Sequence, residues 1–443
     1  MSLLDALLLD PVRIDVWVAK RTDLVAGSGT QNDPYDGSTL AKFDKLMRDS
    51  VGTYTCVHLG PGEFETAGYY EGIGGVYWQP KSGMRIVGSG IDVTTLKLVS
   101  AASSQRAYAI AHEITSSTVD FFEVSDLTID CNYVPSQGTT WTAGAVRVMG
   151  NHSRVVRVKV KNWGNKATGG APGLVIAMLT GNPTTGVTGI TNCGIEECIA
   201  VSPHPQTSAT GPLTAFHVGG KEDATSAVEA FGLGPYIRNC FVDCGQTSDF
   251  TKDFRGLSMA WCKGGVVEGN QVHNTKYGGP YQTATGARDL TVRNNTYRNV
   301  YKGPYWSMAS QGVRNLVVEG NSIELATGAP SSEYAVQLDS SGAYVHGNVV
   351  IRDNRIRYVD GGTGSASGIK VWSAQNLLVR ENTLELTPTL PLLNKNCAAA
   401  QYFENRTPAG VLIRGYNEDT SRKYDELETD AEDAFILGLL KPK

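Results

Sequence analysis

The sequence predicts an all-β solenoid, one long body of short strands wound into stacked coils. Three observations predict it. A strand–Asn–strand pattern recurs along much of the chain, charged residues make up only 19% of it, and Gly (50) and Pro (18) supply many turns. A chain of 443 residues is too long for one ordinary compact core, which leaves several domains or one elongated repeat body. The low charged fraction argues against long exposed helices, whose solvent faces are charged.

The repeat reads aliphatic, any, Val or Ile, any, any, Asn, any, apolar. It is clearest in Leu316–Ile323 around Asn321, Val349–Ile356 around Asn354 and Leu377–Leu384 around Asn382. Further copies surround Asn132, Asn270 and Asn295, and weaker ones place Val158, Cys198 and Cys240 in the Asn slot. The nine slots follow one another at intervals of 25 to 42 residues. The apolar i, i+2 run is a strand with one buried face. The Asn then tolerates a left-handed corner, and the next apolar residue starts another strand. Coils of roughly 25–30 residues stacked this way bury a continuous core. Stacking aligns the six Asn in a ladder, amide on amide.

Neighbouring slots keep the same register. Two residues before the slot stand Glu268, Arg293, Glu319, Arg352 and Arg380, of which the first four alternate in sign. In a parallel, in-register stack these become cross-strand neighbours. Six before it stand the turn formers Asp126, Asp289, Asn315, Asn348 and Asn376.

The N-terminal part adds Gly27–Gly37, a short helix over Thr39–Met47, the run Val57–Phe64 and a first coil at Lys81–Gly90. Together with the coils, this resembles the right-handed parallel β-helix of the pectate-lyase-like superfamily, which also includes many phage tailspikes. The resemblance spans about residues 15–400. It implies a single-stranded right-handed parallel β-helix with a lead-in segment and capping helices.

The expected divisions are a helical cap or docking segment at 1–14, a lead-in and first coils at 15–126, the β-helix at 127–415 and a capping helix at 416–443. Insertion loops are expected near 163–190 and 202–235, where Gly, Pro, Thr and Ser cluster. Residues 385–410 read as irregular before a last strand at Gly410–Arg414. A solenoid exposes its core at both ends, so Ser2–Leu9 and Thr420–Leu440 read as helical lids. The first also suits docking onto a particle or baseplate protein.

The net charge of −5 argues against coating nucleic acid, and no run approaches the roughly 20 apolar residues of a membrane span. The apolar start is broken by Asp5 and Asp10 and has no basic lead, so no signal peptide is expected. The expected setting is synthesis in the cytoplasm and action outside the cell, as part of a particle or free. The eight Cys form no CxxC pair; a reduced compartment fits, and a disulfide stays open.

The resemblance implies a partner that is a polysaccharide or surface glycan. The polygalacturonase pattern, which combines Asn-x-Asp, Asp-Asp, Gly-His-Gly and Arg-x-Lys blocks, and a tight acidic calcium cluster are absent. No cofactor and no metal ligand are therefore expected, calcium alone staying open. Asp249, Lys252, Asp253 and Arg255 are the candidate catalytic residues, set against a solvated turn with local ion pairs. His273, Tyr277, Tyr281, Tyr305 and Trp306 are candidate glycan contacts, since flat rings with polar tips suit sugar faces. The alternative for the rings is an internal aromatic stack, to which Tyr297 belongs. His58 reads as structural, His217 and His346 lack metal spacing, and Asp339 reads as an ordinary turn residue. Two functions follow. One is a glycan-recognising spike or fibre subunit of a phage-like particle, homotrimeric and open to depolymerase activity. The other is a free-standing polysaccharide lyase or glycoside hydrolase.

Overall fold

The computed structural model describes residues 13–424, apart from 24, 71–77, 100–105, 114–117, 134–141, 166–172, 182–188, 205–212, 221–231, 246–249, 251–252, 284–286, 309–311, 341–344, 387–391, 396, 398 and 418–421. The chain winds through three stacks of parallel strands. One runs from Ile14–Ala19 through Thr55–Leu59 and Val266–Glu268 to Ala399–Phe403. The second runs from Gly62–Thr66 through Thr296–Lys302 to Thr383–Glu385. The third begins at Arg106–Ala111 and Thr142–Met149 and continues through Tyr281–Thr283 and Tyr305–Met308 to Gly415–Asn417. One side chain in two points inward, and Leu127, Val158, Val267, Leu316 and Ile351 among others form one continuous core. The fold is an all-β parallel β-helix.

The first coils are covered by the helix Leu40–Asp49, capped by Thr39 Oγ1, which accepts the Lys42 N–H at 3.4 Å. Its apolar face buries Phe43, Leu46 and Met47, and Phe43 meets Phe64 at 5.7 Å between ring centroids. Asp44 on that face is buried but accepts from Thr66 Oγ1 at 2.6 Å and Ala67 N–H at 3.0 Å. Burial nonetheless pushes its carboxyl above the ordinary range.

The amide ladder is present. Asn270, Asn295, Asn321, Asn354 and Asn382 each donate Nδ2–H to the Oδ1 of the next rung at 2.9–3.0 Å, and the series continues to Asn405. Each Nδ2 also donates to a carbonyl of the preceding coil, and each Oδ1 after the first rung takes a rung's backbone N–H. Buried amides so satisfied hold the register without a desolvation penalty left over. The slots before them hold Leu127, Val158, Cys198 and Cys240, all buried, with the Cys240 N–H bonded to Asn270 Oδ1.

Two details differ from expectation. The ladder Asn are not the left-handed residues: those are the ones just before, Gly269, Asn294, Gly320, Asp353 and Glu381. An inward amide must keep strand geometry to stand in the stack, so the corner falls one residue earlier. Asn132 is outside the ladder, because Leu127 pairs with Val158 and takes the slot.

The charge slots match. Arg293 makes two bonds to Glu268 at 2.9 and 3.1 Å, and Arg352 two to Glu319 at 2.8 and 2.6 Å. The turn slots form an outer ladder: Asn315 donates to Asp289 at 2.7 Å, Asn348 to Asn315 at 2.9 Å and Asn376 to Asn348 at 2.8 Å.

The spans expected as insertion loops each carry a strand, Gly173–Gly181 and Leu213–Gly220. Both faces of Leu213–Gly220 are buried, so its apolar run lacks the alternation that marks a strand in sequence. Strands Leu392–Lys395 and Ala399–Phe403 likewise occupy the stretch read as irregular, while Gly410–Arg414 holds only a bridge from Leu412 to Arg406. The expected C-terminal helix begins instead with a strand, Arg422–Tyr424, which pairs antiparallel with Gly415–Asn417 and covers that edge. The rest of it, and the N-terminal helix, lie outside the described residues. All eight cysteines are free thiols.

Candidate glycan-binding face

The third stack presents a row of aromatic and charged side chains over four successive coils. Tyr281 pairs with Tyr305, Tyr305 with Gln337 and Gln337 with Lys370. The adjacent row, Trp306–Leu338–Val371, is fully buried, so alternation turns the first row outward. Just before the corner at Gly278–Pro280, Arg255 pairs with Tyr277 and Tyr277 with Lys302.

The rings gather. Centroids lie 4.6 Å apart for Tyr277 and Tyr281, 5.1 Å for Tyr281 and Tyr305, and 6.1 Å for Tyr277 and Tyr305. The Arg255 guanidinium lies 3.8 Å over the Tyr281 ring, and Lys302 Nζ lies 4.0 Å over Tyr305. Farther along, Lys370 Nζ lies 3.6 Å over Trp372. Such contacts contribute about 0.5–2 kcal/mol each, more as water is excluded. Each carboxylate in the row meets a cation: Asp253 meets Arg255 at 3.1 Å, Glu333 meets Lys302 at 2.7 Å, and Asp339 meets Lys370 at 3.2 Å.

Burial sets the row's titration. It pushes Lys302 down to about 8, helped by the like charges of Lys370 and Lys276 and opposed by Asp339. Burial also holds the Tyr277 phenol well above its ordinary value, with Asp253 and the other two tyrosines acting the same way. The arrangement offers the half-buried Tyr277 and Tyr305 rings for apolar sugar surfaces, cations for an anionic substituent, and in Lys302 an amine of lowered pKa that is ion-paired to Glu333.

The structure brings together Asp253, Arg255, Tyr277, Tyr281 and Tyr305. Asp249 and Lys252 lie outside the described residues. Trp306 is not a glycan contact: it faces the core at 0% exposure, because it alternates with the outward Tyr305. Tyr281 is also buried, covered by Arg255. His273 stands before the left-handed corner at Asn274, in a cleft of about 540 Å³ with Arg298, Asn299 and Asp360. Its ring lies edge-on to Phe241 at 5.2 Å, and burial lowers its pKa. Asp339 is on the strand Tyr334–Ser340 and not in a turn. Lys302, Glu333 and Lys370 were not singled out in the sequence. A signal existed for Lys302, which follows its ladder slot by seven residues, as Tyr277 does.

Comparison with known proteins agrees with this architecture. Residues 236–384 match a family model described as a right handed beta helix region. No curated protein matches the sequence. Among solved structures, a tailspike protein mutant of Escherichia coli bacteriophage HK620, in complex with pentasaccharide, superposes with a TM-score of 0.58 at 13% identity, covering 89% of this chain and 66% of that one. A mutant DFA-IIIase from Arthrobacter chlorophenolicus A6, in complex with DFA-III, superposes with a TM-score of 0.52 at 11% identity, covering 87% and 93%. The chain has the right-handed parallel β-helix fold. No helix among the described residues is long and apolar enough to cross a membrane.

Proposed function

We propose that the protein recognises a glycan along the outer face of its third stack. The observation that carries this is the group of tyrosines, Tyr277, Tyr281 and Tyr305, bracketed by Arg255 and Lys302. Among the described residues the row and its flank hold five cations, Arg255, Lys276, Lys302, Lys370 and Lys395, against Asp253, Glu333 and Asp339. Cations set against the rings suit a glycan bearing carboxylates. The test is binding to a panel of uronate-containing and neutral polysaccharides. Tyr305→Ala and Lys302→Ala are each expected to weaken binding by roughly tenfold, the loss of about 1.4 kcal/mol that one such contact supplies. Unchanged affinity in both variants would remove this face from the reading.

The setting we favour is a spike or fibre subunit of a phage-like particle. The likeness to a tailspike over most of the chain supports it at the level of fold. In that setting the chain is a homotrimer joined to the particle through its N-terminal segment. Light scattering on the purified protein tests it, and a monomer would count against it.

The second reading is a free-standing lyase, favoured by the lowered pKa of Lys302. Above about pH 8 the amine, released from Glu333, can remove a proton next to a uronate carboxylate, while Arg255 or Lys370 holds the carboxylate. Unsaturated products appearing on incubation with uronate polymers, at a rate rising through about pH 8, would establish cleavage.

A further inference from the structure

The first coil carries a second cluster whose chemistry the glycan reading leaves unused. Strands Ile14–Ala19 and Thr55–Leu59 pair in parallel, with Asp15 opposite Cys56 and Trp17 opposite His58. Val57 and Leu59 point into the core at 0% and 2% exposure, so alternation turns Cys56 and His58 to the outer face. Asp15 joins them there from the neighbouring strand. One ligand atom from each residue lies within 4.8 Å of the other two. Among the described residues no other group of three or more His, Cys, Asp or Glu converges in this way.

The cluster is ordered before any ion arrives. His58 Nε2 lies 2.8 Å from Asp15 Oδ1, and the imidazole stacks on Trp17 with centroids 4.6 Å apart and planes 14° from parallel. Cys56 is buried although it faces outward, while Asp15 is exposed. A thiol, an imidazole and a carboxylate are a borderline donor set. It suits Zn²⁺ and its Co²⁺ substitute and disfavours Ca²⁺ and Mg²⁺, which take oxygen ligands. Bonds of about 2.0–2.3 Å at tetrahedral angles hold donors roughly 3.3–3.7 Å apart, so the His58–Asp15 pair, at 2.8 Å, opens slightly while a donor as far as 4.8 Å closes. The adverse charges are Arg85, opposite Cys56 in the next coil and engaged by Glu123 at 2.7 Å, and Arg13, which donates to the carbonyls of Gly83 and Phe121. A cleft of about 320 Å³, bordered by Trp17, Gln31, His58 and Ser89, meets the cluster at His58.

We propose that Asp15, Cys56 and His58 bind a zinc-class divalent ion in an open, three-ligand site that ties the strand Ile14–Ala19 to the first coil. On binding, the ion takes the place of the hydrogen between His58 Nε2 and Asp15, the imidazole keeping its proton on Nδ1, and the Cys56 thiol releases its proton to water. Because it bridges two strands, it binds the folded chain and raises its stability. Nothing in this depends on the glycan face.

The test is titration of the full chain with Co²⁺, read by absorption. The expected result is a thiolate-to-cobalt charge-transfer band in the near ultraviolet with the visible bands of tetrahedral cobalt, both erased by added Zn²⁺. Cys56→Ser removes the near-ultraviolet band. Asp15→Asn, a change at an exposed side chain that leaves the fold intact by circular dichroism, raises Kd for Co²⁺ by more than about tenfold, since even losing a supporting partner of a ligand does as much. Absence of the charge-transfer band at excess Co²⁺ overturns the proposal. So does a band that persists in Cys56→Ser, which assigns it to another thiol, or an unchanged Kd in Asp15→Asn.

Discussion

Lys302 shows how one residue's surroundings become a measurable pH dependence. Its folded pKa, about 8, lies below the ordinary lysine value of 10.5, so between these values the unfolded chain binds more protons than the folded one. Stability therefore rises as pH climbs through this window, and below about pH 8 the buried charge is a standing cost. Denaturant unfolding at several pH values, on the wild type and Lys302→Met, checks this. The difference between the two is expected to change across the window, and a constant difference would place the Lys302 pKa at its ordinary value. Trp306 marks what sequence cannot show at this scale. Its neighbour Tyr305 is just as aromatic, and only the strand's phase places one ring in the core and the other outside.

At the scale of the coil, the Asn ladder was legible because its residues recur in one slot with one flanking pattern. The third stack was not. Its strands Gly173–Gly181 and Leu213–Gly220 are apolar without alternation and stand among turn-forming residues, so they read as loops. The tyrosine row was legible in its residue types and not in its cations, since Lys302 and Lys370 stand in separate coils that only the register joins. Removing a rung tests the ladder. Asn321→Ala would strip partners from Asn295, Asn354 and the Val292 carbonyl, all buried. The expected loss is about 2–4 kcal/mol, from several polar groups left unpaired. A shift in denaturant midpoint measures it, and a loss under about 0.5 kcal/mol would mean that water or repacking replaces the rung.

Over the whole molecule, the cysteines report on integrity. Burial pushes the thiols of Cys193, Cys244 and Cys262 up to about 12, and that of Cys131 well above the ordinary value. Cys397 is only half-buried. In the native protein a thiol reagent is expected to modify Cys397 first and leave those four unmodified, with all eight thiols reacting after denaturation. Early modification of Cys193 or Cys262 would mean that the middle coils open. The overall plan was visible in the sequence because a solenoid repeats its instructions. Its ends were not, because a terminal coil has a neighbour on one side only and departs from the pattern, as the antiparallel strand Arg422–Tyr424 does.

The ladder has a further consequence for how the chain finds its register while folding. Every rung offers the same donor and the same acceptor, so the amides alone would accept a neighbour one coil out of place. From Glu268 to Arg352 the alternating charge column tells the coils apart; beyond it Arg352 stands against Arg380 and the distinction ends. Skipping the coil of Glu319 would set Arg293 against Arg352, two guanidinium groups where the native stack has a paired carboxylate. The amides supply adhesion that is blind to identity, and the alternating charges supply the address.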